Sequence, residues 1–243
     1  MAEEVAAMAA SESSAALSRR SLADQVADAL VELILSEDLQ DGDSLPSTAE
    51  LSERFDVSRT VVREALATLG GRGILTRSQG RESIVASPGA ADLSQFLQFT
   101  ARRDEVTLGH ILEVRYGIEI VAARLAAERA TEADLLEITS ALERLSSATR
   151  DRDFNLADVE LHRAIALASK NVLIQLVLEG LADFLLDFRV QTMKKRRREG
   201  GTREPVIEEH RRLVAAIAAH DVQAAAAAMH DHLERSRGRM DPE

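Results

Sequence analysis

The sequence predicts a mostly α-helical chain in two parts: three helices closed by a small β-hairpin, then an antiparallel all-α bundle. Three observations carry this. Apolar residues recur at helical spacing through most of the 243 residues. A change of period falls only in the Gly-rich stretch "GGRGILTRSQGRESIVAS". Aromatics are 3% and Trp is absent, so the cores are built from Leu, Ile, Val and Ala, a composition that favours helices.

The elements follow in order. Residues 1–18, rich in Ala, Ser and Glu, read as a disordered tail, with Glu3 and Glu4 where a secretory leader would carry positive charge. Ser21–Ser36 reads as a helix, with Val26, Ala29, Leu30 and Leu33 on one face. Gly42 and Pro46 mark a loop. Ser47 caps a short helix, Thr48–Phe55, with Glu50 at the capping-box position. After the turn "DVS", Ser58 caps a helix running to about Leu69. Ile74–Thr76 and Ser83–Val85 read as strands around a turn at Gln79–Glu82. Helix, helix-turn-helix and hairpin in that order make a winged helix-turn-helix, residues 19–87. Pro88 and Gly89 open a linker, 88–103. Helices are then expected at 107–130, 132–149, 154–169, 171–194, 204–219 and 221–237, within a bundle domain spanning 104–238.

Composition excludes several classes. With no Cys, disulfides are impossible, any metal must be held by His and carboxylates, and a reducing cytoplasm is the expected location. No apolar run is long enough to span a membrane. A net charge of −11 argues against unselective coating of nucleic acid, but the window Arg54–Arg81 holds six arginines against Asp56 and Glu64, a local basic patch.

That patch coincides with the second helix of the helix-turn-helix. Ser58, Arg59 and Thr60 stand at its N-terminus, where unpaired N–H groups and the helix dipole favour phosphate. Arg59 and Arg63 are four apart and share a face, with Val62, Leu66 and Leu69 opposite. Such a pair suits guanine O6/N7 or phosphate. The segment "LPSTAELSERFDVSRTVVREALATLGGRGILTRSQGRESIV" resembles the GntR family of bacterial regulators in Leu45, Pro46, Leu51, Phe55, Val57, Ser58, Arg59, Val62, Arg63, Glu64, Ala65, Leu66, Leu69, Gly73 and Gly80. The resemblance implies a DNA-binding transcription regulator, a dimer on a pseudo-palindromic operator, with Gly80 and Arg81 of the wing also on DNA. Thr48 and Ala49 replace a common Glu-Arg, and Glu82 a common wing Gly, so operator preference is expected to depart from the family norm.

The second half carries polar residues on inward helix faces. At about 100° per residue, Arg115 lies within about 60° of Leu108, Ile111, Leu112, Ile118 and Ala122. A buried cation needs a partner. Either Glu119, one turn on, pairs with it, or the guanidinium anchors a ligand carboxylate. His210 is amid Val206, Ile207, Leu213, Val214 and Ile217, His232 shares a face with Ala225, Ala228 and Met229, and His162 follows Asp158 by one turn at the edge of an apolar stripe. His110, His220 and His230 read as solvated. Asp158, His162, His210 and His232 are either core residues or ligands of a divalent ion such as Zn²⁺, Ni²⁺ or Mn²⁺. Asn171 is a helix cap or a pocket donor, and Lys194–Arg198 a solvated loop or a second nucleic-acid contact.

The stretches "ILEVRYGIEIVAARLAAERAT", "DVELHRAIALASKN", "EEHRRLVAAI" and "MHDHL" resemble the FadR-like branch of the GntR family, with its FCD effector domain. That implies a metal at Asp158, His162, His210 and His232, and a small carboxylate effector contacting Arg115, Glu119 and Asn171. The function read from the sequence is a repressor released by that effector. The alternatives are a constitutive DNA-binding protein with a structural metal, or a metal-dependent hydrolase, for which no separate nucleophile or general base presents itself.

Overall fold

In the computed structural model, which describes residues 20–77, 83–86, 89–104 and 106–238, helix α1 (Leu22–Ser36) starts at a capping box. The Ser21 hydroxyl accepts from Asp24 N, and the Asp24 carboxylate accepts from Ser21 N. α2 (Thr48–Arg54) begins the same way, Ser47 with Glu50. α3 (Arg59–Gly71) is capped by the Ser58 hydroxyl, which accepts from Val61 N. It ends in a Schellman turn: Gly73 N donates to Gly70 O and Ile74 N to Leu69 O, with Gly73 at φ +74°. That left-handed residue sends the chain straight into β1 (Leu75–Arg77), which pairs antiparallel with β2 (Ser83–Val85) in the register Leu75–Val85, Thr76–Ile84. The loop after α1 joins this hairpin: Leu45 N donates to Ser83 O, Val85 N to Asp43 O, and Ser44 bridges Ile84. Leu30, Leu33, Leu51, Val62, Ala65, Leu69, Leu75 and Val85 form the buried core. Three helices and a hairpin are thus the winged helix-turn-helix expected. The tail 1–18 and the wing tip Gly80, Arg81 and Glu82 lie outside the described residues.

The chain divides after Pro88 into two compact units. The second contains α4 (Ala90–Arg103), α5 (Leu108–Arg129), α6 (Glu132–Ser147), α7 (Asp151–Ala168), α8 (Val172–Gly180), α9 (Ala182–Arg198), α10 (Glu204–Ala218) and α11 (Val222–Gly238). Links of two or three residues join α5 to α6, α6 to α7 and α10 to α11, and force the chain to reverse. Alanines 123, 126 and 127 on α5 allow close approach of its neighbours, and Ile138, Leu145, Phe154, Leu161, Ile165, Leu213, Ile217, Met229 and Leu233 complete the core.

Three expectations need correction. The segment read as linker, 88–103, is mostly helix α4. Its Gly89 N–H donates to the Asp92 carboxylate, and Leu93, Leu97 and Thr100 are half-buried at i, i+4, i+7 as α4 packs on α8. The single helix expected over 171–194 is two, broken at Leu181. Gly180 is the notch that seats α4, since a Cβ there would meet Leu93 Cδ2 at 2.7 Å. Lys194–Arg198 is not a loop but the last turns of α9, where cations meet the negative end of the helix dipole.

Candidate functional site

In the first unit, α3 turns Val62, Ala65 and Leu69 into the core and leaves Arg59, Thr60 and Arg63 exposed. Of the other arginines in the basic window, Arg54 pairs with Glu37 at 2.9 Å and Arg72 lies 4.0 Å from Asp28. Arg59 and Arg63 have no ion-pair partner among the described residues, so both guanidinium groups remain presented to solvent on one face of a capped helix.

In the second unit, Asp158 and His162 on α7, His210 on α10 and His232 on α11 are all buried and meet. One nitrogen from each histidine lies within 4.8 Å of the other two. His162 Nε2 is 3.2 Å from His210 Nε2, and Asp158 Oδ1 is 3.2 Å from that same His210 nitrogen. Two of the rings are hydrogen-bonded from behind and the third is in contact with a carboxylate. His210 Nδ1 lies 2.9 Å from Val206 O, which therefore accepts its proton. His232 Nδ1 lies 3.1 Å from Glu209 Oε2. His162 Nδ1 contacts Glu119 Oε2. With Nδ1 of His210 and His232 on acceptors, the Nε2 lone pairs of these two rings are left for the cluster, and His162 Nε2 lies against His210 Nε2.

Electrostatics support neutral rings at His210 and His232. Burial, reinforced by His162, holds the His210 pKa well below the ordinary imidazole value. Burial followed by His210 and His162 does the same to His232. Burial would raise the Glu119 pKa, but the Arg115 guanidinium, with His162 beside it, outweighs burial and keeps the carboxylate ionised, well below its usual range.

Arg115 takes the first of its two sequence readings as a partner of Glu119. Its Nε lies 2.5 Å from Oε1 and its Nη2 3.4 Å from Oε2, both residues being buried. Glu119 thus links Arg115 to the back of His162. Arg115 also lines a cavity of about 30 Å³ together with Asp158, His232 and Arg189. Asn171, expected at the effector, is instead spent as the cap of α8: its Oδ1 accepts from Leu173 N at 3.1 Å and Ile174 N at 3.3 Å, and it lines neither cavity beside the histidines. Of the histidines expected to be solvated, His110 caps α5 with Thr107, and His220 Nδ1 reaches Ala127 O at 2.8 Å.

Sequence reasoning missed two residues. Glu209 is buried beneath His232, and Arg189 is buried with its Nε on Asp158 Oδ2 and its Nη1 donating to Leu185 O at 3.3 Å. Both had the signal that exposed Arg115: Arg189 lies between Leu185 and Met193 at four-residue spacing, and Glu209 stands four before Leu213.

The donor chemistry fits a divalent ion: three imidazole nitrogens converge and Asp158 Oδ1 lies beside one of them, His210 Nε2, while Asp158 gives its other oxygen to Arg189.

Comparison with known proteins gives the same division. "Bacterial regulatory proteins, gntR family" matches residues 22–85, and "FCD domain" matches residues 110–235. The HTH-type transcriptional regulator LutR of Bacillus subtilis (strain 168) is 35% identical over 83% of this chain and 93% of its own length. The Glc operon transcriptional activator of Escherichia coli (strain K12) is 30% identical over 88% and 87%, and the HTH-type transcriptional repressor NanR of Enterobacter sp. (strain 638) is 31% identical over 89% and 84%. Among solved structures, Streptococcus agalactiae GntR superposes with a TM-score of 0.64, covering 89% of this chain and 99% of its own at 25% identity. None of the described helices is long and apolar enough to cross a membrane. With both domains matched in order and relatives that are regulators rather than enzymes covered nearly end to end, the chain belongs to the gntR family as a transcriptional regulator with an FCD domain.

Proposed function

We propose that this regulator is a homodimeric repressor that leaves a pseudo-palindromic operator when a small carboxylate binds beside a divalent ion in its helical domain. Among the relatives, one is named a repressor and another an activator, so the direction of control is part of the proposal. The observation that carries the reading is the convergence of three buried imidazoles with Asp158 beside His210, two of the rings hydrogen-bonded from behind by Val206 O and Glu209 and the third in contact with Glu119. A cluster serving only as core would not need two of its outer nitrogens bonded to Val206 O and Glu209 and the third set against Glu119.

Asp158, His162, His210 and His232 would hold Zn²⁺, Ni²⁺ or Mn²⁺, and the bound ion supplies a net positive charge that attracts an anion. The residues around it reinforce that preference: Arg115 and Arg189 add cationic charge at the small cavity, while Glu119 and Glu209 orient the rings. At the DNA end, the Ser58 cap presents the first turn of α3, Arg59 and Arg63 read bases or phosphates, Thr60 lies beside them, and Gly80 and Arg81 contact the backbone through the wing. Release needs only differential affinity of the effector for two dimer states, since a tenfold loss of DNA binding takes about 1.4 kcal/mol of coupling.

The test is operator binding by the purified full chain, measured with and without Zn²⁺ and with a series of carboxylate metabolites. A carboxylate that weakens operator binding in wild type but not in His210→Ala supports the reading. Operator binding indifferent to metal and to every acid would leave a constitutive DNA-binding protein.

A further inference from the structure

A second, larger cavity of about 280 Å³ opens beside the histidine cluster, between α7, α8 and α9. Its walls are apolar: Val159, Ala166, Leu167, Leu178, Ala182 and Leu185. The polar residues toward its exposed side bond to one another or to the backbone. Arg163 Nε donates to Glu179 at 2.7 Å, and Gln175 Nε2 to Leu167 O at 3.4 Å. At the buried side stand His162 and Arg189. Arg189 also lines the small cavity with Asp158, Arg115 and His232, so it forms the partition between the two spaces. Its Nε and Nη1 have partners, but Nη2 is buried with no hydrogen-bond partner among the described residues. A buried guanidinium donor without an acceptor is a destabilising arrangement that folded chains seldom keep without a reason.

From this we infer the chemical class of the effector: a carboxylate carrying a compact apolar body, its carboxylate accepting from Arg189 Nη2 and its body filling the cavity of α7, α8 and α9. The inference rests on the reading of the bundle as an effector domain and narrows it. An apolar cavity of roughly 150 Å³ takes a benzene-sized guest, so this space suits a body of about six to ten carbons. A polyhydroxylated acid would bury its hydroxyls against mostly apolar walls, at the cost of the water they give up. An apolar alcohol of the same shape would bury its body but leave Nη2 without an anion.

Three probes separate these cases on the Zn²⁺-loaded full chain by calorimetry and thermal shift: 3-phenylpropanoate, gluconate and 3-phenylpropan-1-ol. The acid with the apolar body is expected to bind at least tenfold more tightly than either of the others. Ala182→Phe, which narrows the cavity from the first turn of α9 and replaces no residue of the histidine cluster, should weaken it at least tenfold and leave Zn²⁺ uptake unchanged. Arg189→Gln should reduce the preference for acid over alcohol to within about twofold. Binding of gluconate in place of 3-phenylpropanoate, or binding of 3-phenylpropanoate that Ala182→Phe does not alter, overturns the cavity assignment while leaving an effector domain in place. Failure of both acids to bind, with Zn²⁺ bound, overturns the inference, and the effector reading on which it rests falls with it when the wider carboxylate series also leaves operator binding unchanged.

Discussion

Glu209→Gln is the sharpest probe of the metal centre, because it removes a charge behind a ligand without touching a ligand. In the wild type, Glu209 Oε2 accepts from His232 Nδ1 at 3.1 Å, and both side chains are buried. The amide keeps the shape but is a weaker acceptor and can present its NH₂ to the ring, in which case the His232 tautomer with Nε2 free for a metal is no longer favoured. Loss of such an outer partner typically costs about 10–100-fold in metal affinity, or roughly 1.4–2.7 kcal/mol. A metal present at about 100 times its Kd stabilises the fold by about 2.7 kcal/mol. For a domain of this size about 1 kcal/mol moves the melting midpoint by roughly 2–4 °C, so Zn²⁺ should raise the wild-type midpoint by about 5–10 °C. At the same Zn²⁺ concentration the variant should lose about 3–10 °C of that gain. The assay is thermal melting of the metal-free and Zn²⁺-loaded proteins, with a chelator competition for Kd. The reasoning is refuted if Glu209→Gln binds Zn²⁺ within about twofold of wild type, and the metal centre itself is refuted if wild type shows no shift with any divalent ion.

Arg59→Ala and Arg63→Ala should each weaken operator binding by about 1–3 kcal/mol if they read bases, and flatten its salt dependence by about one unit of slope if they neutralise phosphates; fluorescence anisotropy across a salt series distinguishes these. Gly180→Ala should destabilise the docking of α4 by about 1–3 kcal/mol, because Leu93 would have to move away from a Cβ 2.7 Å from its Cδ2; in a Leu93→Ala background the same change should be close to neutral by urea denaturation. Asp134, hydrogen-bonded first by Lys170 and then by Thr131, has its pKa lowered to about 2. Because the folded value lies below the unfolded one of about 3.9, its contribution is full above that value and is lost as pH falls toward about 2. Lys170 is half exposed, so Lys170→Met should cost no more than about 1 kcal/mol at neutral pH, and the difference from wild type should disappear in melts at about pH 2.

What the sequence determined by itself was direction about each helix axis. Periodicity placed Arg115, Asp158, His162, His210 and His232 on inward faces, and all five are buried. Local chemistry placed the Ser47 and Ser58 caps, since a capping hydroxyl needs only its own next turn. The same logic applied to α9 and α10 would have found Arg189 and Glu209, which sit on apolar stripes as Arg115 does. Tertiary structure alone decided the partners. Whether Arg115 serves a ligand or Glu119, whether Asp158 faces the histidines with one oxygen or two, and whether Glu209 or water meets His232 depend on how neighbouring helices rotate and slide against one another. It also decided α4, whose helix begins just after Pro88 and Gly89 and whose stripe of Leu93, Leu97 and Thr100 finds its burial on α8 through the gap at Gly180. A helical pattern reports which face of a helix turns inward, and only packing reports what that face meets.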